Sequence, residues 1–195
     1  MRVRDMSDET TELVQRARAL LGEKAVLELE EPIELASGQM SSHFIDGKAG
    51  LSKAADLRLA CEAIHAQLRS AGIDYDAVGG LTLGADHLSV GVALAGDREW
   101  FFVRKEPKGR GTGKQIEGAA VGAGTRVVVV EDIVSTGGSM FKAIDVVQAA
   151  GAEVVAACTL IDRGGHAEPK LTERGIPYFC LGSYADFDLP PVSAS

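Results

Sequence analysis

Cysteine is scarce and scattered: the 195 residues hold three, Cys61, Cys158 and Cys180. None forms a C-x-x-C pair, which argues against a disulfide scaffold and the common zinc modules, so no protein-held metal is expected. Cys61 and Cys158 sit among apolar neighbours and read as small core residues. Basic charge is in deficit too, with 20 Lys and Arg against 28 Asp and Glu and a net charge of -8. Such a chain repels a polyphosphate backbone, so broad nucleic-acid binding is not expected and any basic cluster has to be local. Long apolar runs are missing: nowhere do 18 uninterrupted apolar residues occur, and MRVRDMSDETTELVQ at the N-terminus has no apolar leader. Neither secretion nor a membrane partner is expected, and the cytoplasm is the expected compartment. Nucleotide fingerprints are also lacking. GRGTGKQ carries Lys108 where a P-loop needs its first glycine and Gln115 where it needs Ser or Thr, and no G-x-G-x-x-G follows a strand. ATP and NAD are therefore poor candidates. There is no internal repeat.

What is present is a chain 46% hydrophobic and long enough for one α/β domain over residues 1–195, with a small hood at about 22–50 and a core at about 51–185. Ser7 is placed to cap a helix carrying Leu13, Val14, Ala17, Leu20 and Leu21 on one face. VLELE, PIEL and HFIDGK follow as short extended pieces divided by Pro32 and by Ser37-Gly38, the hood. A second helix starts near Ser52 with Leu57, Cys61, Ile64 and Leu68 at helical spacing and ends at Gly72. Strands and helices then alternate: DAVGG, a helix over 85–94, WFFVR, VVVVED, a helix over 139–150, EVVAACTLID and IPYFCL. Near-continuous apolar strands between helices predict a parallel sheet covered on both faces. About twenty Gly- and Lys-rich residues, KEPKGRGTGKQIEGAAVGAGT, interrupt this rhythm, and a loop that long in a compact domain is usually functional. The tail ADFDLPPVSAS reads as frayed.

The segment 127–139, VVVVEDIVSTGGS, carries the chemistry. Its four valines predict a buried strand, and open α/β sheets place ligands at the C-terminal ends of such strands. Glu131 and Asp132 at that end suit the neighbouring hydroxyls of a sugar, since each carboxylate oxygen accepts a hydrogen bond. Ser135, Thr136, Gly137, Gly138 and Ser139 form a small-residue turn into a helix, where free backbone N–H groups favour a phosphate. A phosphorylated ribose satisfies both halves.

VVVVEDIVSTGGS closely resembles the phosphoribosyl-pyrophosphate (PRPP) motif of the type I phosphoribosyltransferases. VRKEPKGRGTGKQIEG at 103–118 looks like the mobile loop of the orotate phosphoribosyltransferases, and SGQMSSHFIDGK and GGLTLGAD resemble their hood and pyrophosphate loop. With DRGG at 162–165 the resemblance runs in order from about 30 to 185. It implies a central parallel sheet of about five strands flanked by helices, with a small N-terminal hood. It also implies transfer of phosphoribose from PRPP to orotate, giving orotidine 5'-monophosphate and pyrophosphate, with Mg2+ carried mainly by the pyrophosphate, in a homodimer whose sites are shared. Carried onto this chain, it assigns catalysis to Arg104, Lys105, Lys108, Arg110 and Asp132. PRPP binding falls to Thr82, the same four cations and the run Glu131, Asp132, Ile133, Val134, Ser135, Thr136, Gly137, Gly138 and Ser139; orotate falls to Phe44, Ser135 and Arg163. Three positions depart from the pattern. Arg110 stands where the family usually has His and cannot donate a proton near neutral pH, Ala36 replaces a lysine of some members, and His87 stands where many carry proline. A paralogue acting on another base and a non-catalytic PRPP-sensing regulator are the alternatives; the acidic composition argues against the second.

Overall fold

The computed structural model describes residues 8–34, 40–107 and 114–190. In chain order these form α1 (Asp8–Lys24), β1 (Val26–Glu34), β2 (Met40–Ile45), α2 (Gly47–Gly50), α3 (Ala54–Ser70), β3 (Ala77–Leu81), α4 (Asp86–Gly96), β4 (Glu99–Val103) and β5 (Ile116–Gly118). There follow β6 (Arg126–Val134), α5 (Gly138–Ala149), β7 (Glu153–Asp162), α6 (Ala167–Glu173), β8 (Tyr178–Ser183) and a 3-10 turn (Tyr184–Phe187). The main sheet has the order β5-β4-β3-β6-β7-β8. Strands β4, β3, β6, β7 and β8 are parallel, as the sequence predicts, and β5 adds an antiparallel edge to β4.

The four valines of β6 show how the core is divided. Side chains alternate across a strand, so Val128 and Val130 enter the apolar cluster shared with α1, α3 and α4, while Val127 and Val129 enter the opposite cluster under α5. All four are fully buried, and each such burial favours the fold by about 2 kcal/mol before chain entropy. On α1 the buried positions Thr10, Val14, Ala17 and Leu21 trace one helical stripe, and on α3 Cys61, Ile64 and Leu68 do the same. Cys61 and Cys158 are core residues, and burial pushes the Cys61 thiol up to about 12, far from a reactive thiolate.

The helix α4 carries the chain from β3 outward to β4, while α5 carries it from β6 outward in the other direction to β7. Adjacent strands β3 and β6 therefore send their C-terminal loops apart, and a crevice opens above them, the position where such sheets bind ligands. Gly80 allows the closeness of the two strands, since an added Cβ would collide with the main-chain oxygen of Val130.

Several sequence expectations are corrected. Pro32 does not divide two strands: β1 runs through it, with a register shift between Glu28 and Ile33 in its pairing with β2. A two-stranded ribbon has free edges, where a residue without an N–H is tolerated. The excursion after β4 is shorter than twenty residues, because Ile116–Gly118 returns to pair with β4 and Ala119 and Val121 pack on the core. The segment read as a frayed tail packs on the fold over 185–190, its residues 191–195 lying outside the described residues: Ser183 and Asp186 form a reciprocal cap, Arg18 pairs with Asp186 at 2.8 Å, and Tyr184 and Leu189 are buried. The capping position of Ser7, the Ser37-Gly38 turn and Ala36 lie outside the described residues. No helix among the described residues is long and apolar enough to cross a membrane.

Candidate active site

Strand β6 runs on past the four valines to Val134, so Glu131 and Asp132 are strand residues and the turn is confined to 135–137. Period-two alternation sends their side chains to different surroundings. Glu131 is only 4% exposed, its Oε2 has no hydrogen-bond partner among the described residues, and burial first, with the neighbouring Asp132 charge second, pushes its carboxyl up to about 8. Asp132 is half-buried and pinned: Oδ1 accepts the main-chain N–H of Ile133 at 2.8 Å and Oδ2 accepts from Lys48 Nζ at 2.7 Å. The hydroxyl of Thr159 on β7 donates to the main-chain oxygen of Asp132 at 3.1 Å and steadies the strand end.

Beyond Val134 the chain turns sharply. Gly137 takes φ 85, and a Cβ there would lie 2.7 Å from the Phe141 ring, so only glycine fits. The turn opens α5, whose first N–H groups have no carbonyl one turn back to bond. A cavity of about 270 Å³ is lined by Glu131, Ile133, Val134, Ser135, Thr136, Gly137, Gly138, Ser139 and Met140. Every member of the segment expected to hold PRPP, except the pinned Asp132, therefore borders one hollow at a helix N-terminus.

Across the crevice, the loop after β3 is held by the N–H of Thr82 on the Val103 carbonyl at 2.9 Å, and its Thr82–Leu83 peptide is cis. Gly84 packs so closely on β6 that a Cβ would collide with the Glu131 carboxylate and lie 2.8 Å from Asp132 Oδ1. Asp86 Oδ1 and His87 Nε2 are buried without hydrogen-bond partners among the described residues, and burial raises the Asp86 carboxyl and lowers the His87 ring. With Glu131 Oε2 they make three unsatisfied polar atoms around one turn, in a protein where nearly all buried polar atoms are expected to be bonded.

The cationic loop is only partly described. Its base is closed by two bonds between Arg104 and Gln115, each 2.9 Å, and Arg104 reaches Glu117 at 3.3 Å. Lys105 is exposed, and Lys108 and Arg110 lie outside the described residues. On the other flank, the DRGG turn after β7 is shaped by Asp162, whose Oδ1 accepts from the N–H groups of Gly164 and Gly165 at 3.0 and 2.7 Å. Arg163 N–H bonds the Val134 carbonyl at 2.8 Å, which sets this turn beside the end of β6. Phe44 is 39% exposed on β2. It stands two residues before Asp46, whose carboxylate caps α2, the short helix that carries Lys48.

Lys48 was not legible as a site residue. Its hydrogen bond and charge pairing with Asp132 raise its own ammonium pKa, and its charge also acts on Glu131, Asp86 and His87, so one hood cation influences all the titratable groups of the crevice wall. The one available hint was its place in HFIDGK, since the contact spans 84 residues. Asp162 and Tyr184 were missed for the same reason: their role depends on what the fold brings to them.

A parallel sheet with a hollow at a helix N-terminus beside its switch point defines a class. The chain belongs to the phosphoribosyl transferase domain family, whose model matches residues 65–182. It is 37% identical to the orotate phosphoribosyltransferase of Thermococcus kodakarensis over 163 residues, covering 84% of this chain and 85% of the relative. Among solved structures it is similar to the orotate phosphoribosyltransferase of Mycobacterium tuberculosis H37Rv in complex with Fe(III) dicitrate, with TM-score 0.77, 33% identity, and 91% and 99% of the two chains covered. The same Mycobacterium enzyme in complex with PRPP superposes with TM-score 0.73 at 31% identity, covering 91% of this chain and 99% of that one.

Proposed function

We propose that this chain transfers the 5-phosphoribosyl group from PRPP to orotate, releasing pyrophosphate and forming orotidine 5'-monophosphate. The observation that carries the reading is the single hollow formed by Glu131 and residues 133–140 at the switch point, flanked by the Arg163 turn. Its relatives of known name act on orotate, and one is seen with PRPP.

In this reading the turn 135–139 takes the 5-phosphate through the N–H groups that open α5. Glu131 and Asp132 take the ribose hydroxyls, and the unsatisfied Glu131 Oε2 is suited to one of them. The Thr82 loop and the cations Arg104, Lys105, Lys108 and Arg110 hold the pyrophosphate. When the anomeric C–O bond breaks, its electron pair leaves on the pyrophosphate oxygen, and cations placed there stabilise the growing charge. A ring nitrogen of orotate supplies the pair for the new C–N bond. Arg110 serves as a fixed cation and not as a proton donor. Paired carboxylates and the unsatisfied oxygen also fit a hydrated Mg2+ brought in on the pyrophosphate, which would neutralise part of its charge; Glu131 and Asp132 would face it. Phe44 offers an apolar face to the base, and Arg163 and Ser135 offer donors.

A homodimer with shared sites is supported by apolar side chains that a monomer leaves in water. Leu83 is 75% and Leu94 79% exposed, and Trp100 stands outside on β4, stacked with Phe102 at 4.8 Å. The test of the whole reading is a panel of bases. Purified protein with magnesium and PRPP will deplete the near-ultraviolet absorbance of orotate and leave uracil, adenine and hypoxanthine untouched. Turnover of another base would select the paralogue, and PRPP binding with no turnover would select a regulator.

A further inference from the structure

The C-terminal 3-10 turn and the DRGG turn meet at Arg163. A guanidinium is a planar set of five N–H donors with no acceptor, so what it presents to a ligand depends on which donors are already engaged and on how its plane is held. Here Nε donates to the Tyr184 hydroxyl at 2.8 Å, and the guanidinium carbon lies 5.4 Å from the centre of the same ring. One side chain thus makes two contacts with Arg163, a charged hydrogen bond and a cation–π contact, each restricting rotation of the guanidinium. Nη2, by contrast, is buried and has no hydrogen-bond partner among the described residues. A buried cationic donor without an acceptor is destabilising, and a planar anion in the adjoining crevice would satisfy it.

Tyr184 is itself fixed from three sides. It is buried, its carbonyl accepts the Leu189 N–H at 2.9 Å, and its turn is closed by the Ser183–Asp186 cap and tied to α1 through Arg18 and Asp186. The ring serves the core, but a core needs only a phenyl group at that place. The hydroxyl has Arg163 as its bonding partner.

We propose that Tyr184 is the positioning residue of the base pocket, its hydroxyl holding the Arg163 guanidinium so that Nη2 faces the planar anionic base. The inference rests on the orotate reading above and adds to it the C-terminal segment as a specificity element. Tyr184→Phe keeps ring, volume and burial while removing the oxygen. It will raise KM for orotate about tenfold, the loss expected for one hydrogen bond to a charged group. KM for PRPP will stay within about twofold of wild type, since the phosphate hollow is not altered, while the melting temperature will fall by a few degrees because Arg163 Nε loses its acceptor. In an Arg163→Gln background the same change will add nothing to the orotate KM, because the group it positions is gone.

An unchanged orotate KM in Tyr184→Phe, or equal effects in both backgrounds, would overturn the proposal while leaving the orotate reading intact. Equal rises in KM for orotate and PRPP would also overturn it, by showing a general structural role. Failure of the wild-type protein to use orotate would sink the reading on which it rests, and this proposal with it.

Discussion

The two walls of the crevice are built in opposite ways. One is β6 and the turn into α5, a strand whose four valines are fully buried between two apolar clusters, with Asp132 fixed by two hydrogen bonds and Gly137 by its backbone angle. The other is the hood ribbon and the base of the cationic loop. No residue of β1 is buried, Ile45 alone is buried on β2, and residues 104–107 are exposed. In the proposed reading, sugar and phosphate recognition therefore falls to the scaffold, while the charges for the leaving group and the face for the base fall to segments with little packing of their own. Lys48 links the two, a hood lysine on a strand carboxylate at 2.7 Å. The proposed reading is thus a division of labour: the packed wall would bind the phosphorylated ribose, and the exposed wall would serve the leaving group and the base.

Lys105→Ala tests that division most severely. It will lower kcat by about a hundredfold or more, as for loss of a charge aimed at a transition state. The Kd for PRPP from calorimetry will change by less than about threefold. Equal losses in both would show that the exposed wall only binds.

Lys48→Met removes the link. The pair is half-exposed on the lysine side and so partly screened, and the expected effect is a rise of about fivefold in KM for PRPP, with most of it restored by Lys48→Arg. An unchanged KM would mean that the two walls are independent.

Glu131→Gln gives a smaller effect with a defined pH dependence. Burial raises the folded-state pKa of Glu131 to about 8 from an ordinary 4.5, so the fold favours the neutral acid. Its contribution is intact below pH 4.5 and is lost as pH rises through 8. The amide stays neutral. Thermal unfolding without substrate should therefore match wild type near pH 5 and exceed it by about 2–4 °C at pH 9. A difference independent of pH would place the effect elsewhere.

Phe44→Ala should be the mildest. A side chain this exposed adds little to the core, so melting should shift by less than about 1 °C, while KM for orotate rises about threefold. A large loss of stability would show that Phe44 is hood core and not a face for the base.

Legibility in the sequence follows the same boundary between the walls. Strand β6, its turn and the helices α1 and α3 were readable because their signals are local: apolar runs, a helical stripe, glycines at a turn. Strand β5 and helix α6 were not. The first is three residues in a Gly- and Lys-rich stretch, and the second buries only Ala167 and Leu171 and has Pro169 in its first turn, where a missing N–H leaves no bond unmade. The packing of residues 184–190 was misread because its anchors are distant, Arg18 to Asp186 and Arg163 to Tyr184. The family motif pointed to Glu131 and Asp132, but nothing local to Lys48 says that it meets a strand 84 residues away.

The most direct measurement runs the reaction backwards, since it tests base and leaving group together. Purified protein given orotidine 5'-monophosphate, magnesium and pyrophosphate should release orotate and form PRPP in equal amounts, with no release when phosphate replaces pyrophosphate. No orotate at micromolar protein, in the presence of pyrophosphate, would contradict the account.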